Sequence, residues 1–459
     1  MPDAPPPYTP VSQAADLHTR TIALEVVTPI FGGSARAREH ARPWEPIRAA
    51  SIRGQLRFWW RARQAGRFAT SQALWLAERK LWGGSGADAA DVHRSSVRVS
   101  VGECDHVHEA GDAIHPQHFD GYVLWPAAMP TQVSRLAPGV TFALTIVWPA
   151  TLDADREAKA ALRDWLLFGG IGGRTRRGCG GLRVVKPDDR NWLELPTTAQ
   201  SLASFGAPGG TSLVAAHIPQ LAGAEFRCST PGTDAVAAWR LAHGWLRSFR
   251  QGADDQLDPN EDARGRTSGD FARSRPQWRP GAPGREVRPG QSRWPEADEI
   301  RRAFAPFARG FAHKPDYAGP LTWPRANFGL PIQVQFQARD RANAYYVGEE
   351  PPNVALGWTD RPGNEIIQRL PSPLILKSMQ LRDGRFVSLA LWLTRSMPAN
   401  ARVGIVQGNS LKAGSDAAFS TMPGPPATLL FTPLVAHASV RDAFLAWLRT
   451  QQAPVGGRL

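Results

Sequence analysis

Gly169-Gly170-Ile171-Gly172-Gly173-Arg174-Thr175-Arg176-Arg177-Gly178-Cys179-Gly180 is the stretch from which the fold is read. Six glycines and three arginines share these twelve positions. Upstream, Ala161, Leu162, Trp165, Leu166 and Phe168 recur at helical spacing, which predicts an amphipathic helix over 153–168. Downstream, Leu182–Val185 reads as a strand. The loop therefore ends a helix and precedes a strand. A dinucleotide fingerprint opens a helix instead, and a Walker A loop needs a following Gly-Lys-Ser/Thr, so both are excluded.

Working outward, Ile22, Leu24 and Val26 alternate in a strand that stops at Thr28-Pro29-Ile30-Phe31-Gly32-Gly33. Ser51 is placed to cap a helix from Ile52 to about Phe68. Short strands are predicted at Val97–Val101, Tyr122–Trp125 and Val140–Trp148. The order strand, helix, strands, helix, strand is that of a ferredoxin-like βαββαβ unit. Farther on, helices are predicted at 239–250, 300–311 and 440–450, with strands at 332–336, 374–377 and 387–393. The expected fold class is α+β, two ferredoxin-like (RRM-like) domains with insertions. The expected divisions are a disordered leader over 1–17, a first domain over 18–225, a helical segment with an Arg/Pro/Gly-rich mobile insertion over 226–310, and a degenerate second domain over 311–459.

The chain has 459 residues and a net charge of +13. An excess of that size favours a polyanionic partner. Cys104, Cys179 and Cys228 are too few and too scattered for a disulfide framework, which points to the cytoplasm. The longest apolar strip, Phe142–Ala150, is too short to span a bilayer, so no membrane partner is expected. No cofactor motif is present, and no cofactor is expected.

Two basic features carry the functional reading. Glycines such as Gly170, Gly172, Gly178 and Gly180 let a backbone approach an anion closely. Arg174, Arg176 and Arg177 add planar guanidinium forks suited to phosphate. The loop can equally be a solvated basic connector. Residues 36–67 hold nine arginines against Glu39 and Glu45, interleaved with Trp44, Phe58, Trp59 and Trp60. Such a mixture suits single-stranded nucleic acid, although helical spacing also fits Trp59 as a core residue. Arg53, Arg57 and Arg61 recur at i, i+4, where like charges repel and a polyanion would relieve the cost. Arg42 lies in the loop before them.

Gly170-Ile171-Gly172, five residues, then Gly178-Cys179-Gly180 resembles the glycine-rich signature of the RAMP superfamily, the repeat-associated RNA-binding proteins of CRISPR systems. Thr28–Gly33, Ser51–Arg61, Ser292–Glu296, Phe328–Ile332 and Arg369–Lys377 together resemble the first-numbered subunits of the Cmr (type III-B) effector complex. The resemblance spreads over residues 21 to 395. It implies two packed RAMP folds, other RAMP subunits and guide or target RNA as partners, and a place near the 3′ end of the guide. It also implies that target cleavage belongs to another subunit, and that Arg369 and Lys377 form a second basic wall.

Other readings stay open. Metal-independent endoribonucleases exist among RAMP relatives, and His18 and His40 stand where an acid or base could sit. Cys104, His106, His108, His115 and His118 crowd one segment, though at no common zinc spacing. The Arg-rich residues 264–302 read as a solvated loop or as a tether that orders on a partner. A mainly structural cap of a complex is the remaining alternative.

Overall fold

The computed structural model describes residues 16–33, 47–86, 92–105, 121–124, 135–206, 218–251, 274–277, 288–292, 294–304, 315, 317–336, 351–367, 369–424 and 432–459. The alternation of Ile22, Leu24 and Val26 builds β1 (Leu17–Val26), whose inward side chains are all buried. Next come α1 (Ala49–Gln64), α2 (Ser71–Trp82), β2 (Arg98–Cys104), β3 (Thr141–Pro149), α3 (Leu152–Phe168) and β4 (Leu182–Val184). These strands form one antiparallel sheet in the order β2-β3-β1-β4. The predicted cap at Ser51 is not used. Helix α1 starts three residues earlier, at Ala49 behind Arg48, which makes no side-chain cap. The strand predicted at Tyr122–Trp125 is instead a helical turn over Gly121–Leu124, with Trp125 outside the described residues.

The second half adds β5 (Gln220–Cys228), α4 (Ala235–Gln251), α5 (Glu296–Ala303), β6 (Ile332–Val334), β7 (Val354–Thr359), β8 (Leu374–Gln380), β9 (Phe386–Thr394), β10 (Arg402–Gln407), α6 (Val440–Leu448) and β11 (Val455–Arg458). Strands β8-β9-β5-β11 form a second antiparallel sheet. Its chain order across the sheet, second-third-first-fourth, repeats that of the first. A third sheet, β6-β7-β10 with two short strands, is inserted between α4 and α6. The expected division at 225/226 falls inside β5, and the one at 310/311 divides a unit whose sheet begins at Gln220. Both divisions follow turn-rich composition, whereas pairing joins strands far apart in sequence.

The second sheet is buried on both faces. Ile375, Met379, Val387, Leu389 and Leu391 join one core with α1, α3 and the first sheet. Leu374, Leu376, Ala390 and Trp392 face α4 and α6 in another. Both β8 and β9 are therefore near-continuous apolar runs, as two-sided burial requires. Among the described residues, no helix is long and apolar enough to cross a membrane.

One ion pair fastens α1 to α3. Arg63 donates from Nε to Asp164 Oδ2 at 2.5 Å and from Nη2 to Oδ1 at 2.8 Å. The same guanidinium also donates to the carbonyls of Phe205 and Gly206. Both partners are buried. Removing the acid strands a buried cation, which costs far more than an exposed pair contributes. Asp164→Asn is expected to lower unfolding stability by about 3–5 kcal/mol in urea titrations; a change below about 1 kcal/mol would mean the pair does not fasten the helices.

Candidate nucleic-acid interface

The glycine loop is a joint between the halves, and its glycines are there for fit. Gly178 has φ +68°, and a Cβ there would stand 2.7 Å from the Leu376 carbonyl oxygen on β8. Gly180 has φ +62°, and its Cβ would fall 2.0 Å from the Ile171 carbonyl oxygen. Left-handed backbone and missing space both demand glycine. Most loop amides are already committed. Gly173 donates to the Phe31 carbonyl at 2.6 Å and Gly180 to that of Pro29 at 2.8 Å. Ile171 donates to Gly180 O, Gly178 to Thr175 O, and Gly181 to Thr28 Oγ1. Thr28 in turn donates to the Gly178 carbonyl at 2.6 Å. The structure thus brings Thr28–Phe31 against the loop. Gly170, Gly172, Gly178 and Gly180 shape that junction, and the amides of Ile171, Gly173, Gly178 and Gly180 point into the protein.

Lys377 does not line an open wall. It is fully buried, and its Nζ donates to the carbonyls of Leu166 at 2.7 Å and Gly169 at 2.5 Å. Those carbonyls close the last turn of α3, where orphan acceptors and the negative dipole end favour a cation. Burial pulls the ammonium down to about 7. The sequence shows a lysine in an apolar strand; only the packing of α3 on β8 shows what it caps.

The arginines of α1 are also engaged inside the chain. Arg57 Nε and Arg61 Nη1 each donate to Glu78 Oε1 of α2 at 2.6 Å. Arg53 donates to the Trp82 carbonyl at the end of α2. The repulsion expected at i, i+4 is therefore offset by a buried glutamate rather than requiring an outside polyanion. Trp59 and Trp60 are core residues, and Trp60 donates to Glu157 at 2.9 Å. Phe58 beside them is half-buried, and Trp44 lies outside the described residues.

The loop arginines differ. Arg174 is exposed, with φ +55°, and donates to the Val123 carbonyl at 2.7 Å with its guanidinium 5.2 Å from the Phe31 ring centre. Arg176 is half-buried, donates to the Ser372 carbonyl, and lies 5.4 Å from the Phe58 ring centre. Among the described residues, both arginines meet carbonyls and rings. Arg177 supplies the carbonyl that accepts from Trp239 Nε1 at 2.8 Å. Arg369 is exposed. Beneath the loop, His243 is buried edge-on to Trp239, with ring centres 5.0 Å apart. Burial, with Arg177 and Arg174 nearby, pushes its imidazole down to about 3. Nothing in the sequence around His243 marks it out, since the cations that face it come from the distant glycine loop.

His18 lies elsewhere. It meets Asp155 at 3.1 Å, and the eight residues to Val26 put it about 26 Å along β1 from the end nearest the loop. Arg42, His40, His106, His108, His115 and His118 lie outside the described residues, as does most of the Arg-rich insertion. Of the Cys/His cluster, only Cys104 is described.

Two four-stranded antiparallel sheets with their helices, meeting at an arginine-bearing glycine loop, and a third inserted sheet define this as an α+β protein with a basic joint. Residues 23–183 match the family model of the RAMP superfamily. Over 83% of its length the chain is also similar to the apo crystal structure of Cmr1 from Pyrococcus furiosus, at 13% identity and a TM-score of 0.43, covering 89% of that chain. It is similar to a chain in the cryo-EM structure of the type III-B Cmr-beta bound to cognate target RNA, at 11% identity and a TM-score of 0.39, covering 84% of this chain and 97% of that one. No curated protein matches the chain.

Two outcomes test the joint. Gly178→Ala is expected to lower stability by at least about 2 kcal/mol, from left-handed strain and the clash with β8; a neutral result in thermal melts would contradict the close approach. For Lys377, a lowered folded pKa means the unfolded chain binds more protons between about pH 7 and 10. Wild-type stability therefore gains on Lys377→Met as pH rises through that window. A difference in melting temperature that stays flat from pH 7 to 9 would contradict it.

Proposed function

We propose that this chain is a non-catalytic RNA-binding subunit of a type III-B (Cmr) CRISPR effector complex. In this reading it captures and positions target RNA near the 3′ end of the guide, beside other RAMP subunits. The single observation that carries it is the contrast in charge pairing. Arg57, Arg61 and Arg63 have carboxylates inside the chain, whereas among the described residues Arg174 and Arg176 meet carbonyls and aromatic rings and no acid. Positive charge left without an acid at a joint between two sheets is what a phosphate backbone would complete. The RAMP match over 23–183 supports the same reading. The repeated strand order supports two ferredoxin-like units, the second carrying an inserted sheet.

The test is fluorescence anisotropy with labelled single-stranded RNA across a salt series. Tight, sequence-tolerant binding with a steep salt dependence is expected. Arg174→Ala and Arg369→Ala should each weaken it and flatten the log K versus log salt slope by roughly 0.7. Affinity that ignores salt would sink the proposal. The RNA should also stay intact in EDTA; discrete products that vanish in His40→Ala would make the chain a nuclease.

A further inference from the structure

Arg176 and Arg395 come from different halves and reach adjacent peptide units. Arg176 donates to the carbonyl of Ser372, and Arg395 to that of Pro371. Both are half-buried. Burial draws each guanidinium down to about 10, and for Arg395 the charge of Arg176 pushes the same way. Both stay charged at neutral pH, so two like charges sit together. Among the described residues, no carboxylate forms an ion pair with either or offsets its shift.

Elsewhere the protein pairs such groups. Arg63 has Asp164, Arg57 and Arg61 share Glu78, and Arg20 has Asp189. Buried charge without a counter-charge is costly, and two like charges compound the cost. The guanidinium plane of Arg176 is also held in place. Phe58 holds the Arg176 guanidinium over its ring, and such a plane can carry a stacked base. Pro371 and Arg369, in the same segment, are exposed, which keeps the pair at the surface.

We propose that Arg176 and Arg395 close on a single phosphodiester of a bound single-stranded RNA, whose non-bridging oxygens supply the missing counter-charge. The clamp rests on the RNA-binding reading above. It adds Arg395, from the second half, and joins both halves on one phosphate. A phosphate offers an oxygen to each fork, and the nucleotide adds a base for the plane held by Phe58.

The experiment uses the full chain with Arg176→Gln, Arg395→Gln and the double variant. Glutamine keeps an amide donor for the Ser372 or Pro371 carbonyl. Anisotropy with single-stranded RNA over a salt series is read beside thermal melts without RNA. Each single variant should bind about tenfold more weakly, and the double little worse than either. The salt slope should fall by roughly 0.7 in singles and double alike, one phosphate's worth. Melting temperatures without RNA should equal or exceed that of the wild type, because a repulsion has been removed. Unchanged binding, or a double variant losing roughly 1.4 in slope, would overturn the clamp. So would intact RNA binding with lost binding of an acidic partner protein. If a glutamine variant loses the fold, Arg395→Lys replaces it: weaker binding with an unchanged slope supports the clamp, and full affinity overturns it. A wild type that binds no RNA removes the wider reading and the clamp together. A salt-sensitive wild type with identical variants removes the clamp alone.

Discussion

A buried lysine at the end of a helix makes the contact on which the rest of this structure depends. Lys377 reaches from β8 of the second sheet to the Leu166 and Gly169 carbonyls, where α3 of the first unit runs out of internal partners. Placing it there fixes α3 against β8. The chain leaving α3 must then turn in almost no space, with Gly178 against Leu376 and Gly180 against Ile171. Glycine follows from that geometry. The arginines follow too, since side chains excluded from the joint can only project at its margin.

Charge is distributed by the same packing. Helix α1 is strongly basic in sequence, yet Glu78 and Asp164 come from other helices to meet its arginines. These pairs hold helices together. Among the described residues the margin of the joint has no such acids for Arg174 and Arg176, so local density of arginine is a poor guide to where a polyanion would lie. The better guide is which arginines the fold has left to carbonyls and rings.

Much of the first unit was legible, because β1, α1, α3 and β4 carry clear periodicity. The loop was also placed correctly between helix and strand. Strand β5 escaped because Gln220-Leu221-Ala222-Gly223-Ala224 has little β-branched or aromatic character; only pairing with β9 and β11 makes it a strand. Strand β11 hides behind Gly456 and Gly457 for the same reason. The misjudged charges have one cause: Arg63 and Asp164 are 101 residues apart, and Lys377 lies 208 residues from Gly169. No local pattern reports a partner at that distance.

Among the described residues, the arginines of α1 meet acids and those of the loop meet carbonyls and rings. That contrast is tested most directly by comparing the salt dependence of single-stranded RNA binding for two double variants, Arg174→Gln with Arg176→Gln, and Arg57→Gln with Arg61→Gln. A flatter slope and weaker binding are expected for the first, with a wild-type slope for the second at a reduced melting temperature. A flattened slope in the α1 variant alone, with the loop variant binding as wild type, would contradict it.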